Sequence, residues 1–241
     1  MKIKLFPVIK FIKKVGSTNA LAHQYLEETT FQSNFVICAN EQTAGKGRSD
    51  RNWHSPIGGL YFTLAFPGSQ FTSSITLFTG IIIHKVLSSI FPELSFSIKW
   101  PNDIFVNNKK VGGILTSANT NGTVIGIGID CNIREIPDHL KEIATSLLIE
   151  TNRKVVLKNL LKIILKSFER DFYLFNEKGF FHFTEYFNNH HYLTQRKVII
   201  CFGTEKLEGI VQGVNEDGML ILETGDGLQG ILSADKIDIL S

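Results

Sequence analysis

The sequence predicts an α+β fold, a mixed sheet flanked by helices and followed by a small β barrel. Three observations carry that reading. Strand-like and helix-like stretches alternate up to about residue 194; beyond it the pattern changes to short strands punctuated by glycine turns; and the composition, 43% hydrophobic and 20% charged, is that of a packed globular chain. The 241 residues divide on this basis into a main domain over 1–193 and a small barrel over 194–241. With 25 Lys and Arg against 23 Asp and Glu, the net charge of +2 argues against a general nucleic-acid coat. Three distant cysteines, Cys38, Cys131 and Cys201, show no CxxC spacing, so neither a disulfide framework nor a zinc site is expected and a reducing cytoplasm is the default. No apolar run approaches the roughly 20 residues of a membrane span.

The elements follow in order. The basic, apolar N-terminus alternates and lacks a small-residue cleavage site, so it reads as a strand, Val8 to Val15, rather than a signal peptide. Ser17 or Thr18 can cap a helix running to about Glu28, with Ala20, Leu21 and Tyr25 spaced for one face. A strand from Phe35 to Asn40 leads into a polar, glycine-bearing loop, then the strand LYFTLAF, then a helix from about Ser74 to Ile90. Ser95 to Trp100 alternates cleanly and ends at Pro101. Asp103 to Val106 and Val111 to Ser117 form a hairpin about Asn107-Asn108, and Asn121-Gly122 turns into a strand from Thr123 to Ile133. In that strand Gly126, Gly128, Asp130 and Asn132 share one face, a floor without side chains ending in two polar groups, on which a flat ligand could lie. Residues 155 to 176 have the spacing of a long amphipathic helix, Gly179 breaks it, and a short helix follows, with His190-His191 at a solvated helix end.

Three places offer chemistry. The loop from Glu41 to Gly59 sets Lys46, Arg48 and Arg51 among glycines, so bare N–H groups and positive charge suit an anion, although a solvated surface loop has the same composition. Lys99 stands at the polar end of a strand, where it is either a cation held on a rigid base or a lysine facing water. Ser17-Thr18-Asn19 offers hydroxyls, an amide and free N–H groups at a helix start, or simply a cap. Trp53, exposed at the end of the loop, either stacks on a purine or edges the core.

Read together, GSTN at 16–19, EQTAGKGR at 41–48 with Trp53, KWPND at 99–103, KKVGGIL at 109–115 and GIGIDCN at 126–132 resemble, in order and spacing, the motifs of biotin protein ligases. The resemblance covers nearly the whole chain. It implies a catalytic fold like that of class II aminoacyl-tRNA synthetases with an SH3-like C-terminal barrel. The implied reaction joins the biotin carboxylate to the α-phosphate of MgATP and then passes the biotinyl group to a lysine of a biotin carboxyl carrier protein domain. The implied cofactors are ATP and Mg2+, with biotin as substrate. By motif position, Ser17, Thr18, Asn19 and Gln42 line the biotin slot; the backbone of Lys46, Gly47 and Arg48 closes over biotin and adenylate; Lys99 touches both carboxylate and phosphate, with Arg48 as its catalytic companion. Lys46, Arg48, Trp53 and Asn132 are placed at the nucleotide.

Two departures stand out. The family's loop commonly reads GRGRxGRxW, whereas here Lys46 replaces the first arginine and Asp50 the third glycine, which puts a negative charge near the anion site. Asp130 stands where asparagine is usual, and no role is assigned to it. Because the chain starts at the first catalytic strand, no helix-turn-helix domain and no DNA binding are expected; edge strands leave room for a homodimer. The nearest alternative is a lipoate ligase or octanoyl transferase of the same superfamily, whose arginine and multi-glycine motif before a histidine is absent.

Overall fold

The computed structural model describes residues 4–240, apart from the side chain of Asp50, so the expected negative charge at that position lies outside the described residues. Seven strands form one sheet: β1 (Val8–Ile12), β2 (Phe35–Ala39), β3 (Leu60–Pro67), β4 (Phe96–Lys99), β5 (Asp103–Val106), β6 (Lys109–Asn119) and β7 (Gly122–Ile129). Their order is β1-β2-β3-β7-β6-β5-β4, with β1 and β2 parallel and the other neighbours antiparallel. The β5–β6 connection turns at Asn107 and Asn108, both with positive φ (47° and 67°), the conformation asparagine tolerates best among larger residues.

Helices cover the two faces differently. On one side lie α2 (Ser74–Ile90), α4 (Leu157–Lys178) and α5 (Phe181–Asn189), with short α3 (Leu147–Thr151) leading into α4. Helix α2 is apolar nearly all round because it is enclosed between the sheet and α4 and α5. Seven of the chain's 19 phenylalanines meet here: Phe6, Phe66, Phe78, Phe168, Phe172, Phe175 and Phe183 pack edge to face, stacked or tilted, ring centroids 4.6 to 6.3 Å apart. On the other side α1 (Thr18–Glu27), N-capped by Ser17, sets Ala22 and Leu26 against Phe35, Ile37, Ala65 and Val124. This side is more thinly covered, and the functional cavity opens there.

Five antiparallel strands, β8 (Lys197–Phe202), β9 (Glu205–Val214), β10 (Leu220–Thr224), β11 (Gly227–Ile231) and β12 (Lys236–Ile239), form the second sheet in the order β11-β10-β9-β8-β12. One buried apolar cluster runs from the main body into this sheet, and the Trp100 indole N–H donates to the Gly218 carbonyl at 3.0 Å.

Two expectations change here. Strand β7 ends at Ile129 rather than Ile133, because Asn132 N–H turns away to bond the Gly58 carbonyl. The 190–191 histidine pair is not a solvated helix end. His191 is buried and bridges Ile98 of β4, and its Nε2 accepts the Trp100 backbone N–H at 3.4 Å; burial holds the ring neutral, with its pKa lowered to about 3.

Candidate active site

A cavity of about 260 Å³ opens between the basic loop, the start of α1 and the ends of β5, β6 and β7. Ser17, Thr18, Asn19, Gln42, Lys46, Gly47, Arg48 and Trp53 all line it. Its polar end is a fixed network. Gln42 Oε1 accepts the Thr18 backbone N–H at 2.8 Å and its hydroxyl at 3.0 Å, while Gln42 Nε2 donates to Ser55 Oγ at 3.0 Å. The Thr63 hydroxyl, buried on β3, sits 2.8 Å from Thr18 Oγ1 and 2.7 Å from Asn19 Oδ1, and Asn19 Nδ2 donates to the Leu115 carbonyl. These groups are oriented before any ligand arrives, which lowers the entropy cost of a polar partner. Thr63 and Ser55 escaped the sequence reading, since a lone hydroxyl in a strand or loop gives no signal.

The glycine floor is present and already has tenants. A methyl group on Gly126 would stand 2.1 Å from Asn19 Oδ1, and one on Gly128 2.6 Å from the Trp53 indole nitrogen. Trp53 is therefore half-buried against Gly113 and Gly128 rather than exposed, and its indole N–H has no hydrogen-bond partner among the described residues. Gly45 is required for the same crowding: a Cβ there would meet Ser55 Oγ at 2.6 Å and the Trp53 carbonyl at 2.7 Å.

The lysines sort differently from the expectation. Lys99, Asp103, Gly113 and Gly128 form one cross-strand row, so Lys99 has the right face but stands on the edge strand, two strands outside Gly113. It does not line the cavity; its ammonium lies 5.5 Å from the Phe105 ring centre, and burial lowers its pKa against the pull of Asp103. Lys110 does line it. A register shift pairs Asp103 with Gly113 but Phe105 with Lys110, leaving Val111 as an extra residue. Without that bulge, alternation would turn Lys110 to the opposite face from Gly113; with it, both face the cavity. Lys110 Nζ stands 2.7 Å from Asp103 Oδ1 and 4.9 Å from the Trp53 ring centre.

Beyond the end of β7, Asn132 and Asp130 stand differently about the cavity. Asn132 lies outside the cavity lining, both ends of its amide spent on Val155, donating to the carbonyl at 2.9 Å and accepting the N–H at 2.8 Å. Asp130 lines the cavity, is 8% exposed, and has an Oδ1 without a hydrogen-bond partner among the described residues. Burial pushes its pKa up to about 8, partly opposed by Lys110. Leu140, Ile143 and Ala144 add an apolar wall that the sequence did not mark, held by Lys110 N–H on the Ile143 carbonyl and Leu147 N–H on the Asp130 carbonyl. The cavity thus joins a hydrogen-bonding slot, a flat aromatic-lined floor and cations from two directions, Lys110 on the sheet and Lys46, Arg48 and Arg51 on the loop. Such a site can hold two anionic groups side by side.

This fold with this cavity is the architecture of the biotin protein ligases: the ligase of Aquifex aeolicus in complex with biotin and ATP superposes with a TM-score of 0.86 at 30% identity, over 98% of this chain and 99% of that one. The chain belongs to the biotin/lipoate A/B protein ligase family, which it matches over residues 10–133, and residues 196–235 match the biotin protein ligase C-terminal domain. Among curated relatives, the bifunctional ligase/repressor BirA of Bacillus subtilis is 32% identical over 92% of this chain and 71% of its own length. The biotin–[acetyl-CoA-carboxylase] ligase of Paracoccus denitrificans is 28% identical over 83% and 88%.

Proposed function

We propose that this chain is an ATP-dependent biotin–protein ligase, with residues 1–193 as the catalytic unit and 194–241 as a C-terminal barrel. A biotin carboxylate oxygen attacks the α-phosphorus of MgATP, the bond to the β-phosphate breaks, and diphosphate leaves. The amine of an acceptor lysine on a biotin carboxyl carrier domain then attacks the acyl carbon, AMP leaves, and the amine gives up a proton as the amide forms. The observation that carries the reading is the cavity itself: a prepared polar slot runs into a floor of glycine and tryptophan that ends at an ammonium facing a basic loop. The likeness to the Aquifex ligase with biotin and ATP supports it.

In this reading Ser17, Thr18, Asn19 and Gln42 receive the polar head of biotin, and Trp53 closes over its apolar rings. Two anions repel, so their approach needs cations fixed in advance; Lys110 and Arg48 supply them in a partly dry site where charge is worth more than in water. Lys110, which lines the cavity where Lys99 does not, is assigned here to the place between carboxylate and phosphate. Magnesium is written as part of the nucleotide substrate, since this ion is usually held through substrate phosphates and one or two carboxylates.

Biotin-dependent exchange of labelled diphosphate into ATP tests the assignment. Lys110→Ala is expected to lower the exchange rate by about 100-fold or more, the scale of losing one stabilising group for developing charge, and Lys99→Ala by less than about ten-fold. The reverse ranking would return the role to Lys99; no exchange by folded wild type would sink the reading.

A further inference from the structure

The arginines of the basic loop are held by the barrel. Arg48 Nη2 donates to the Ala234 carbonyl at 2.9 Å and Arg51 Nη2 to the Asp235 carbonyl at 3.3 Å, contacts that span more than 180 residues of sequence. Both carbonyls belong to one turn, between β11 and β12, and that turn is rigidly built. Asp235 N–H donates to the Cys201 carbonyl at 2.9 Å, and Asp235 Oδ2 accepts the Gly203 N–H at 2.7 Å. The loop side is equally self-supporting: Gly47 N–H donates to the Arg51 carbonyl at 2.7 Å, and Arg51 Nε to the Arg48 carbonyl at 3.1 Å. Charge favours the meeting. Residues 194–241 carry eight acidic side chains against four basic, so the chain's net +2 conceals a basic body and an acidic barrel. Burial lowers the pKa of the Arg48 guanidinium, which also lines the cavity, and Asp103 and, more weakly, Asp235 oppose that shift.

We propose that the β11–β12 turn is a positioning element of the ligase reaction: by holding Arg48 and Arg51 at the cavity wall, the barrel sets how long the activated acid stays bound. This rests on the function proposed above. A guanidinium has five N–H groups, and one given to Ala234 fixes the plane of the others. An arginine so oriented loses little freedom when it meets an anion, whereas a free one must be ordered first. Asp235 acts only through the arginines and the turn, as a positioning residue.

The test follows the release of labelled biotinyl-adenylate from the full-length protein. Asp235→Ala is expected to speed release about five- to ten-fold, the scale of one ordinary hydrogen bond, and Arg51→Gln, which alters one exposed side chain and keeps the test open should the first variant fail to fold, by a similar factor. The discriminating readout is a double-mutant cycle. With Arg48→Gln already present, Asp235→Ala should change release less than two-fold; an undiminished effect would mean that Asp235 merely stabilises the barrel and would overturn the proposal. Release unchanged in both single variants would also overturn it, with the function reading intact. A wild type that makes no adenylate from biotin and ATP would remove that reading and this one with it.

Discussion

Lys110 and Asp130 show how a side chain's role depends on one residue of register. Adjacent KK and KWPND lysines carry the same charge, and period-2 alternation sends Lys110 to the face of Gly112; only the bulge opposite Ile104 and Phe105 returns it to the cavity. A bulge is a tertiary compromise between three strands and leaves no mark in composition. Asn132 failed for a similar reason: alternation put it on the floor, but the chain leaves the ladder after Ile129 and spends the amide on Val155. The slot residues Ser17, Thr18, Asn19 and Gln42 were legible because they start a capped helix and a motif loop, whose local geometry fixes their direction. Asp130 carries a prediction of its own. Its pKa is pushed up to about 8 by burial, so the folded chain keeps a proton that the unfolded chain sheds near its ordinary value of 3.8. Its contribution to stability is therefore full below that value and is lost as pH rises to about 8. Asp130→Asn should melt above wild type at pH 8.5 by about 3 °C or more, as about 1 kcal/mol would give in a chain of this size, and the gap should close by pH 4.5. A gap independent of pH would show that the carboxyl does not retain its proton.

At the scale of elements, most boundaries could be read to within a few residues. Helix α2 spans the predicted 74–90, and α4 begins and ends within two residues of the amphipathic stretch. These helices pack on one continuous apolar face, so periodicity alone locates them. Phe168 of α4 is the joint of that face: fully buried, it touches the rings of Phe6, Phe66, Phe78 and Phe172. Phe168→Ala should cost about 3–5 kcal/mol by denaturant titration, the usual range for deleting a buried ring; a loss under about 1 kcal/mol would mean that the cluster collapses to fill the gap. What could not be read was the wall at 140–144, which has neither helical nor strand period. It is held in place by hydrogen bonds to Lys110 and by the Leu147–Asp130 tie, contacts between segments far apart in sequence. The cluster of cations in the basic loop was legible, and three of them line the cavity, but its anchoring to the barrel was not, because carbonyl acceptors are the same in every residue.

For the whole molecule, a thick phenylalanine core on one side of the sheet lets the other side remain open. The rigid layer supports the cavity from behind, and the barrel closes on it through two arginines. The nearly neutral total is in this sense misleading, since the charge is segregated along the chain and the two signs meet at the loop. Among the described residues no helix is long and apolar enough to cross a membrane. A cavity that activates biotin with ATP must pass it on to a protein lysine. The most direct measurement is transfer of labelled biotin, with labelled lipoate in parallel, from the purified chain to a biotin carboxyl carrier domain. The expected result is ATP-dependent labelling by biotin at one lysine, lost in Lys110→Ala, and none by lipoate; preferential labelling by lipoate, or no labelling by folded protein, would contradict the account.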